Sequence, residues 1–419
     1  MKKILIISNS FPPDLDGGVF RPLKFTKYLP KFGWTPVILK SKTKLLKNYP
    51  KDDALCRDFP PDLMIYETYS LAKIIHMFQA KLNNKLNSLE LPDVHIGWLP
   101  FAILAGKKAI MKDECDVIFT TGPPHSTHLI GFFLKKLHRK PWVADLRDPW
   151  TLNFLHTEYP FRFQKQINEW LEKLVITNAD QIITVTDPIN EDFISKYNYL
   201  NSNKFICIPN GYDPDDFKYI IPQKTNKFTI TYTGSFYGSL SPEPFFQCLK
   251  EVLEEHHDMR EKMTFVIAGQ SHEELIKEMI NKFGLKDIVD FKGVVSYKES
   301  LRLMVNSDVL LLILPSDENN DHIKNVYTQK IFNYLATGKP ILGLVPEGIA
   351  SELIRNFGDS IVVHPDIFRE IKNAIYELYS KYSEGIIKGE NGDLIIERYN
   401  RQTLTDHLAA TLNSLTTDK

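Results

Sequence analysis

The chain has 419 residues, 43% of them hydrophobic and 25% charged, which excludes a disordered or fibrous polymer and exceeds one ordinary core, so two domains are expected. The net charge of -1 hides an asymmetry, because residues 1–215 carry 28 Lys+Arg against 23 Asp+Glu and the rest carry 23 against 29. Cys56, Cys115, Cys207 and Cys248 stand far apart with no C-x-x-C pair, which argues against a disulfide framework or structural zinc and fits a reducing cytoplasm.

Met1-Lys2-Lys3 followed by Ile4 to Ile7 imitates the start of a signal peptide, but the apolar run stops at Ser8. It is too short for an export segment and reads as a first strand. The longest apolar stretches, such as Val309 to Leu314, are far too short to span a bilayer, so membrane contact is expected to be peripheral. The basic excess gathers in Lys40, Lys42, Lys44, Lys47 and Lys51, then in Lys135, Lys136, Arg139 and Lys140. Solvated faces explain such patches; attraction to an anionic membrane is the alternative, joined by Trp98-Leu99-Pro100-Phe101. Nucleic acid is not needed.

Short apolar runs alternate with amphipathic stretches, which predicts βαβ units and a parallel sheet. In the first half the predicted strands are 4–7, 36–39, 116–120, 142–144, 181–185 and 205–208, and the predicted helices are 21–31, 126–137 and 163–177. A polar linker near 221–227 precedes a new first strand at 228–233. The alternation then repeats through 264–268, 289–291, 309–314 and 341–345, with a helix over 326–337 and a closing amphipathic stretch over 393–415. The expected domains are 1–221 with 398–419, and 222–397.

Ligands of open parallel sheets bind at the carboxyl ends of the strands, so the loops after strands are where chemistry is sought. The first strand runs into Asp14-Leu15-Asp16-Gly17-Gly18, which is not G-x-G-x-x-G, so a dinucleotide fingerprint is missing. The glycine pair is either a tight turn or a close approach to a ligand. After 116–120 come Gly122 to His128, with His125 a candidate binding or acid/base residue and His128 a candidate for packing or capping. After 142–144 come Asp145, Arg147 and Asp148. They form either an ion pair that fixes the loop or supply a base for an acceptor hydroxyl. In the second half, after Val309 to Leu314, comes Pro315-Ser316-Asp317-Glu318, and then Lys330 and Asn333 share a polar helical side. Lys330 near a helix amino end suits neutralisation of a leaving pyrophosphate; solvent exposure is the plain alternative. Of the two D-x-D tripeptides, at Asp14 and Asp213, neither argues for a metal, and turn chemistry explains the second without one.

Taken together these segments resemble glycosyltransferase family 4, the retaining GT-B enzymes. The resemblance is carried by Lys3 to Ser10 with Gly17-Gly18, Asn178-Ala179-Asp180, Ile208-Pro209-Asn210-Gly211-Tyr212-Asp213 and Tyr334 to Ile341. Gly122 to Thr127 with Asp145-Leu146-Arg147-Asp148-Pro149-Trp150 looks like a subgroup of bacterial surface-polysaccharide synthesis.

The resemblance implies two Rossmann-like doubly wound domains facing a cleft, with the C-terminal helix returning to the first. It also implies retaining transfer of a sugar from a nucleotide diphosphate donor to a saccharide or lipid-linked acceptor, at the inner face of the membrane or in the cytoplasm. No cofactor or obligatory metal is implied. His125, Asp145, Asp148 and Lys330 are then the catalytic candidates, and Gly17, Gly18, Gly234, Ser235, Asn325, Lys330 and Asn333 the donor-binding ones. The loops at Gly17, His125, Asp145 and Lys330 are expected to meet at that cleft.

Two departures stand out. Asn325 and Asn333 occupy the positions of the family's E-x7-E glutamates, and the loop from Gly234 to Leu240 lacks the basic residue often found there. A non-catalytic sugar-nucleotide-binding partner subunit and a sugar-nucleotide 2-epimerase are the alternative readings.

Overall fold

The computed structural model describes residues 1–42, 49–81, 91–152, 161–223, 225–236, 240–269, 273–316, 321–390 and 397–417. Lys44, Lys47, the loop residues 237–239, Asp317, Glu318 and the start of the closing stretch at 393 lie outside them. The chain divides into two units, Met1–Asn210 with Arg401–Lys419, and Gly211–Asn400.

The first unit contains β1 (Lys2–Ser8), β2 (Trp34–Ser41), β3 (Met64–Thr68), β4 (Val117–Gly122), β5 (Trp142–Leu146), β6 (Gln181–Thr184) and β7 (Phe205–Cys207). They form one parallel sheet in the order β3-β2-β1-β4-β5-β6-β7. The winding reverses between β1 and β4, the switch point where open sheets leave a crevice. Register aligns Ser8 with Thr121, and Thr121 with Asp145, along the carboxyl edge. Sequence patterning predicts six of these strands and misses β3. That strand is at the sheet edge with Met64 and Ile65 exposed, so it has no buried apolar run to betray it.

The crossovers are α1 (Phe20–Tyr28), α2 (Ala72–Lys81), α3 (Leu99–Asp113), α4 (Ser126–His138), α5 (Arg162–Asn178) and α6 (Asp187–Lys196). Helix α4 starts on an acidic cap from a distant loop, because Asp93 accepts from Ser126 N at 2.9 Å and Ser126 Oγ at 2.8 Å. Helix α6 starts on Thr186, whose hydroxyl accepts from Ile189 N.

The second unit runs α7 (Pro214–Phe217), β8 (Phe228–Thr233), α8 (Glu243–Glu255), β9 (Met263–Ala268), α9 (Glu273–Lys282), β10 (Val289–Gly293), α10 (Tyr297–Asn306), β11 (Val309–Ile313), α11 (Gln329–Thr337), β12 (Ile341–Leu344), α12 (Ile349–Arg355), β13 (Ile361–Val363) and α13 (Phe368–Ser383). Its sheet order is β10-β9-β8-β11-β12-β13, with the reversal between β8 and β11. Along β11, Val309, Leu311 and Ile313 enter one core and Leu310 and Leu312 the other. This strict alternation is what a sheet covered on both faces requires.

Helix α14 (Arg401–Ser414) returns to the first unit and packs on α1. Trp34 Nε1 donates to Asn413 Oδ1 at 3.2 Å, and Lys31 Nζ to Gln402 Oε1 at 2.6 Å. The unit break falls at 210/211 and 400/401 instead of at the polar linker near 221. The reason is local: Tyr212 N bonds to Tyr399 O at 3.0 Å, and Tyr297 donates to Asp216 at 3.0 Å, so 211–217 belong to the second unit.

Candidate functional site

In the second unit the carboxyl ends of β8 and β9 turn on glycines. Gly234 has φ +129° and Gly269 φ +151°, conformations that disfavour any side chain, and a Cβ on Gly269 would stand 2.1 Å from Gly234 O. The space beside Gly234 is filled by Lys330 from α11. Its ammonium donates to Tyr232 Oη at 2.8 Å and lies 4.0 Å from that ring's centroid. Tyr232 is held in turn by stacking on Phe236, centroids 4.2 Å apart, and by donating to Ser235 O at 3.2 Å.

Among the described residues no carboxylate lies within ion-pair distance of Lys330, and burial pushes its pKa down to about 7. The lysine sits one residue inside the amino end of α11, whose cap residue Thr328 makes no capping bond and has a buried hydroxyl without a hydrogen-bond partner among the described residues. That end therefore presents helix N–H groups, a lysine and a hydroxyl together, the donor set an anion needs.

Tyr334, also from α11, accepts from Thr233 N at 3.0 Å and donates to Leu311 O at 3.2 Å, tying the helix to β8 and β11. Asn333 is only 5% exposed, and its side-chain oxygen meets no donor among the described residues. It does not lie on an open polar side with Lys330, because α11 is short and buried along Ile331 to Leu335. Asn325 ends a turn over Asp321–Asn325 and is partly exposed. Gly234 lies against Lys330, and Ser235 follows it with its carbonyl accepting from Tyr232.

In the first unit Asp145 is fully buried. Arg21 Nε and Nη2 grip its carboxylate at 2.9 and 2.7 Å, and Thr121 Oγ1 donates to it at 2.7 Å. Arg21 also donates to Ile208 O and Pro209 O at 2.9 and 2.8 Å. The expected loop ion pair thus exists, but with Arg21 of α1 in place of Arg147, and Asp145 serves as the anchor of Arg21, not as a free base. Arg147 instead donates to backbone carbonyls of Gly18, Gly122 and Pro123. A Cβ on Gly18 would stand 2.6 Å from its guanidinium, whereas one on Gly17 would meet nothing. The glycine pair therefore divides: Gly18 makes room for Arg147 and only Gly17 is open.

His125 lies just ahead of α4 and is 6% exposed, its ring stacked on Trp150 with centroids 4.5 Å apart. Trp150 holds a backbone φ of +38°, rare for so bulky a residue. It is kept there from α5: Trp150 Nε1 donates to Asn168 at 3.3 Å, and Glu172 accepts from Thr151 N at 2.8 Å, Thr151 Oγ1 at 2.7 Å, Lys196 at 2.6 Å and Tyr197 at 2.6 Å. His128 packs, as expected. It is wholly buried, 2.9 Å from Thr120 Oγ1, and burial lowers its pKa to about 3. Asp148 is partly exposed next to Arg147.

The D-x-D carboxylates serve their own turns. Asp16 accepts from Gly18 N at 2.7 Å and Tyr49 at 2.6 Å, and Asp213 caps α7 through Asp215 N at 3.0 Å. Sequence reasoning missed Arg21, Tyr232, Asn168 and Glu172. For the last two a signal existed: Gln164, Asn168 and Glu172 recur at multiples of four residues and are all buried on one face of α5.

The profile described as Glycosyltransferase Family 4 matches residues 87–216, and that of Glycosyl transferases group 1 matches residues 215–392. No curated protein matches the sequence. Among solved structures, Anabaena Alr3699/HepE in complex with UDP and glucose is 17% identical, with TM-score 0.64, 99% of this chain and 100% of that one being covered. Sucrose-phosphate synthase from Thermosynechococcus elongatus is 15% identical with TM-score 0.68, all of both chains being covered. The E. coli structure titled trehalose-6-phosphate bound with UDP-2-fluoro glucose is 12% identical with TM-score 0.66, again over all of both chains. At these identities the likeness shows the fold. With two parallel-sheet units and adjoining profile matches from 87 to 392, the chain belongs to the family 4 glycosyltransferases of GT-B fold.

Proposed function

We propose that this protein transfers a sugar from a nucleotide diphosphate donor, with retention, to a saccharide or lipid-linked acceptor in cell-surface polysaccharide synthesis. One observation carries the donor half: the ammonium of Lys330, with no carboxylate within ion-pair distance among the described residues, beside Gly234 at the amino end of α11. In this reading the diphosphate supplies the counter-charge of Lys330. Its negative charge favours the protonated lysine, and charge growing on the leaving diphosphate is stabilised without an obligatory metal. Asn333 Oδ1, buried without a donor, accepts a ribose hydroxyl. The acceptor-side roles fall to His125 and Asp148, and Gly17, the open glycine of its pair, stays a donor contact. Retention rests on the resemblance to family 4, and the polysaccharide pathway on that of Gly122 to Thr127 and Asp145 to Trp150 to their subgroup.

Thermal-shift screening across nucleotide diphosphate sugars, followed by incubation of the stabilising donor with and without saccharide acceptors, tests this. Free nucleoside diphosphate and an α-linked product from an α-linked donor are expected only when acceptor is present. An inverted product would remove retention. A changed sugar with donor alone would favour the epimerase. Asn325 and Asn333 in place of glutamates favour a second reading, a non-catalytic binding subunit, and stabilisation without turnover of any acceptor would select it.

A further inference from the structure

Among the described residues other than glycine that hold a positive φ, Asp62 sits in an exposed turn, and Glu114 and Arg139 are the left-handed caps that end α3 and α4. Those are ordinary uses of that conformation. Trp150 has no such reason. At φ +38° and 1% exposed, it opens the 3-10 turn Trp150–Leu152 just beyond the carboxyl end of β5. A bulky side chain in that region is costly and persists only where its surroundings fix it.

Helix α5 fixes it with buried polar groups. Trp150 Nε1 donates to Asn168 Oδ1 at 3.3 Å, and that amide is oriented in turn by its Nδ2 donating to Gln164 O at 3.2 Å. Glu172, with no exposed surface, accepts from Thr151 N and Oγ1 through one oxygen and from Lys196 and Tyr197 through the other. Lys196 also reaches Thr151 Oγ1 at 2.6 Å. A carboxylate taken wholly out of water is unfavourable unless it is paired and hydrogen-bonded, as this one is. Filling a core needs only an apolar side chain; a satisfied polar network holds one turn in one place.

What the turn presents is an indole face. The His125 ring lies along it, with centroids 4.5 Å and planes 10° apart. The backbone of His125 is set separately, because α4 begins at Ser126 on its Asp93 cap and His128 N bonds to His125 O at 3.0 Å. The helix start fixes where His125 stands, and the indole constrains how its ring is turned.

We propose that Trp150 is a positioning residue that holds the His125 ring in its working orientation, and that Asn168 and Glu172 hold Trp150. The proposal rests on the reading that gives His125 an acceptor-side role. It adds that this role depends on Trp150, Asn168 and Glu172, all too buried to touch a substrate.

The test combines proton spectra of the full chain carrying isotope-labelled histidine with acceptor turnover, the His125 signal being assigned by its loss in His125→Ala. In the parent the His125 Hε1 signal is expected upfield of free histidine, because the ring lies over the indole. Trp150→Leu and Glu172→Gln are each expected to move it back. Trp150→Leu is expected to lower kcat roughly tenfold or more and to leave nucleoside diphosphate affinity within about twofold. Trp150→Phe, which keeps a stacking face, is expected to recover most of that loss. In a His125→Ala background, adding Trp150→Leu is expected to change kcat by less than about twofold, since residues that act as a unit are not additive. Lost stability alone would lower kcat equally in both backgrounds. If Trp150→Leu does not fold, Glu172→Gln carries the same two comparisons. Equal losses in the two backgrounds, or a His125 signal that neither variant moves, would overturn the proposal. A His125→Ala chain that turns over acceptor like the parent, or a parent that turns over none, would instead remove the acceptor-side reading, and this proposal with it.

Discussion

Replacing Lys330 by methionine separates stability from function. The side chain loses its charge but keeps its length, so the packing on Tyr232 survives. Burial lowers the lysine from 10.5 to about 7. At about 1.4 kcal/mol per unit that is on the order of 5 kcal/mol as an upper bound. Lys330 keeps partial exposure, and solvent screening brings the expected cost to roughly 1–2 kcal/mol.

The sign follows from proton binding. Below about pH 7 both folded and unfolded chains carry the charged lysine and the desolvation cost is fully felt. Between about 7 and 10.5 the unfolded chain binds the extra proton, so the cost fades as pH rises. Lys330→Met is therefore expected to be more stable than the parent at neutral pH, with the difference shrinking toward alkaline pH, in urea titrations followed by circular dichroism. The same variant is expected to lose most nucleoside diphosphate affinity. In the parent that affinity is expected to fall with rising pH above about 7, with proton uptake on binding visible by calorimetry in buffers of different ionisation enthalpy. A variant less stable than the parent at neutral pH, together with pH-independent binding, would refute the reasoning.

Asp145→Ala strands Arg21 as a buried unpaired cation, with an expected loss of about 3–5 kcal/mol in urea unfolding; a variant that unfolds like the parent but cannot turn over would restore Asp145 as a base. Gly234→Ala pushes a methyl within 2.6 Å of Lys330 Nζ at φ +129°, and is expected to cost more in nucleotide binding than in melting temperature. His128, held at about 3, stays neutral through mild acid, so parent stability is expected to fall as pH drops below about 6.5, and His128→Gln to flatten that slope. Glu172→Gln leaves Lys196 and Thr151 without their shared carboxylate and is expected to cost about 2–4 kcal/mol and to shift tryptophan emission through Trp150.

Both sheets were legible in the sequence wherever strands are buried on two faces. There β1 and β11 are dominated by aliphatic side chains, and β4 and β8 by β-branched and aromatic ones. The edge strand β3 and the three-residue β13 were not legible, because neither has enough buried positions to show a period. Helix α3 escaped for the opposite reason. Exposed Leu104 and Met111 stand among the lysines of its outer face while its buried face is mostly Ala and Gly, which blurs the amphipathic signature. At the site, residue types near strand ends pointed to Lys330, Gly234 and His125. They could not say which carboxylate belonged to which cation. Arg21 lies 124 positions from Asp145, and only the alignment of β1, β4 and β5 brings α1 beside that strand end. Asn333 shows the same limit: spacing of three put it beside Lys330, while the short, deeply packed α11 buries it.

The central claim is that a donor's diphosphate is held where Lys330 meets Gly234. A crystal structure of the chain soaked with a nucleoside diphosphate tests it most directly. The account predicts phosphate oxygens within hydrogen-bond reach of Lys330 Nζ and of the backbone N–H groups that open α11, with Tyr232 unmoved. A diphosphate bound away from Lys330, with that ammonium still resting on Tyr232 alone, would contradict it.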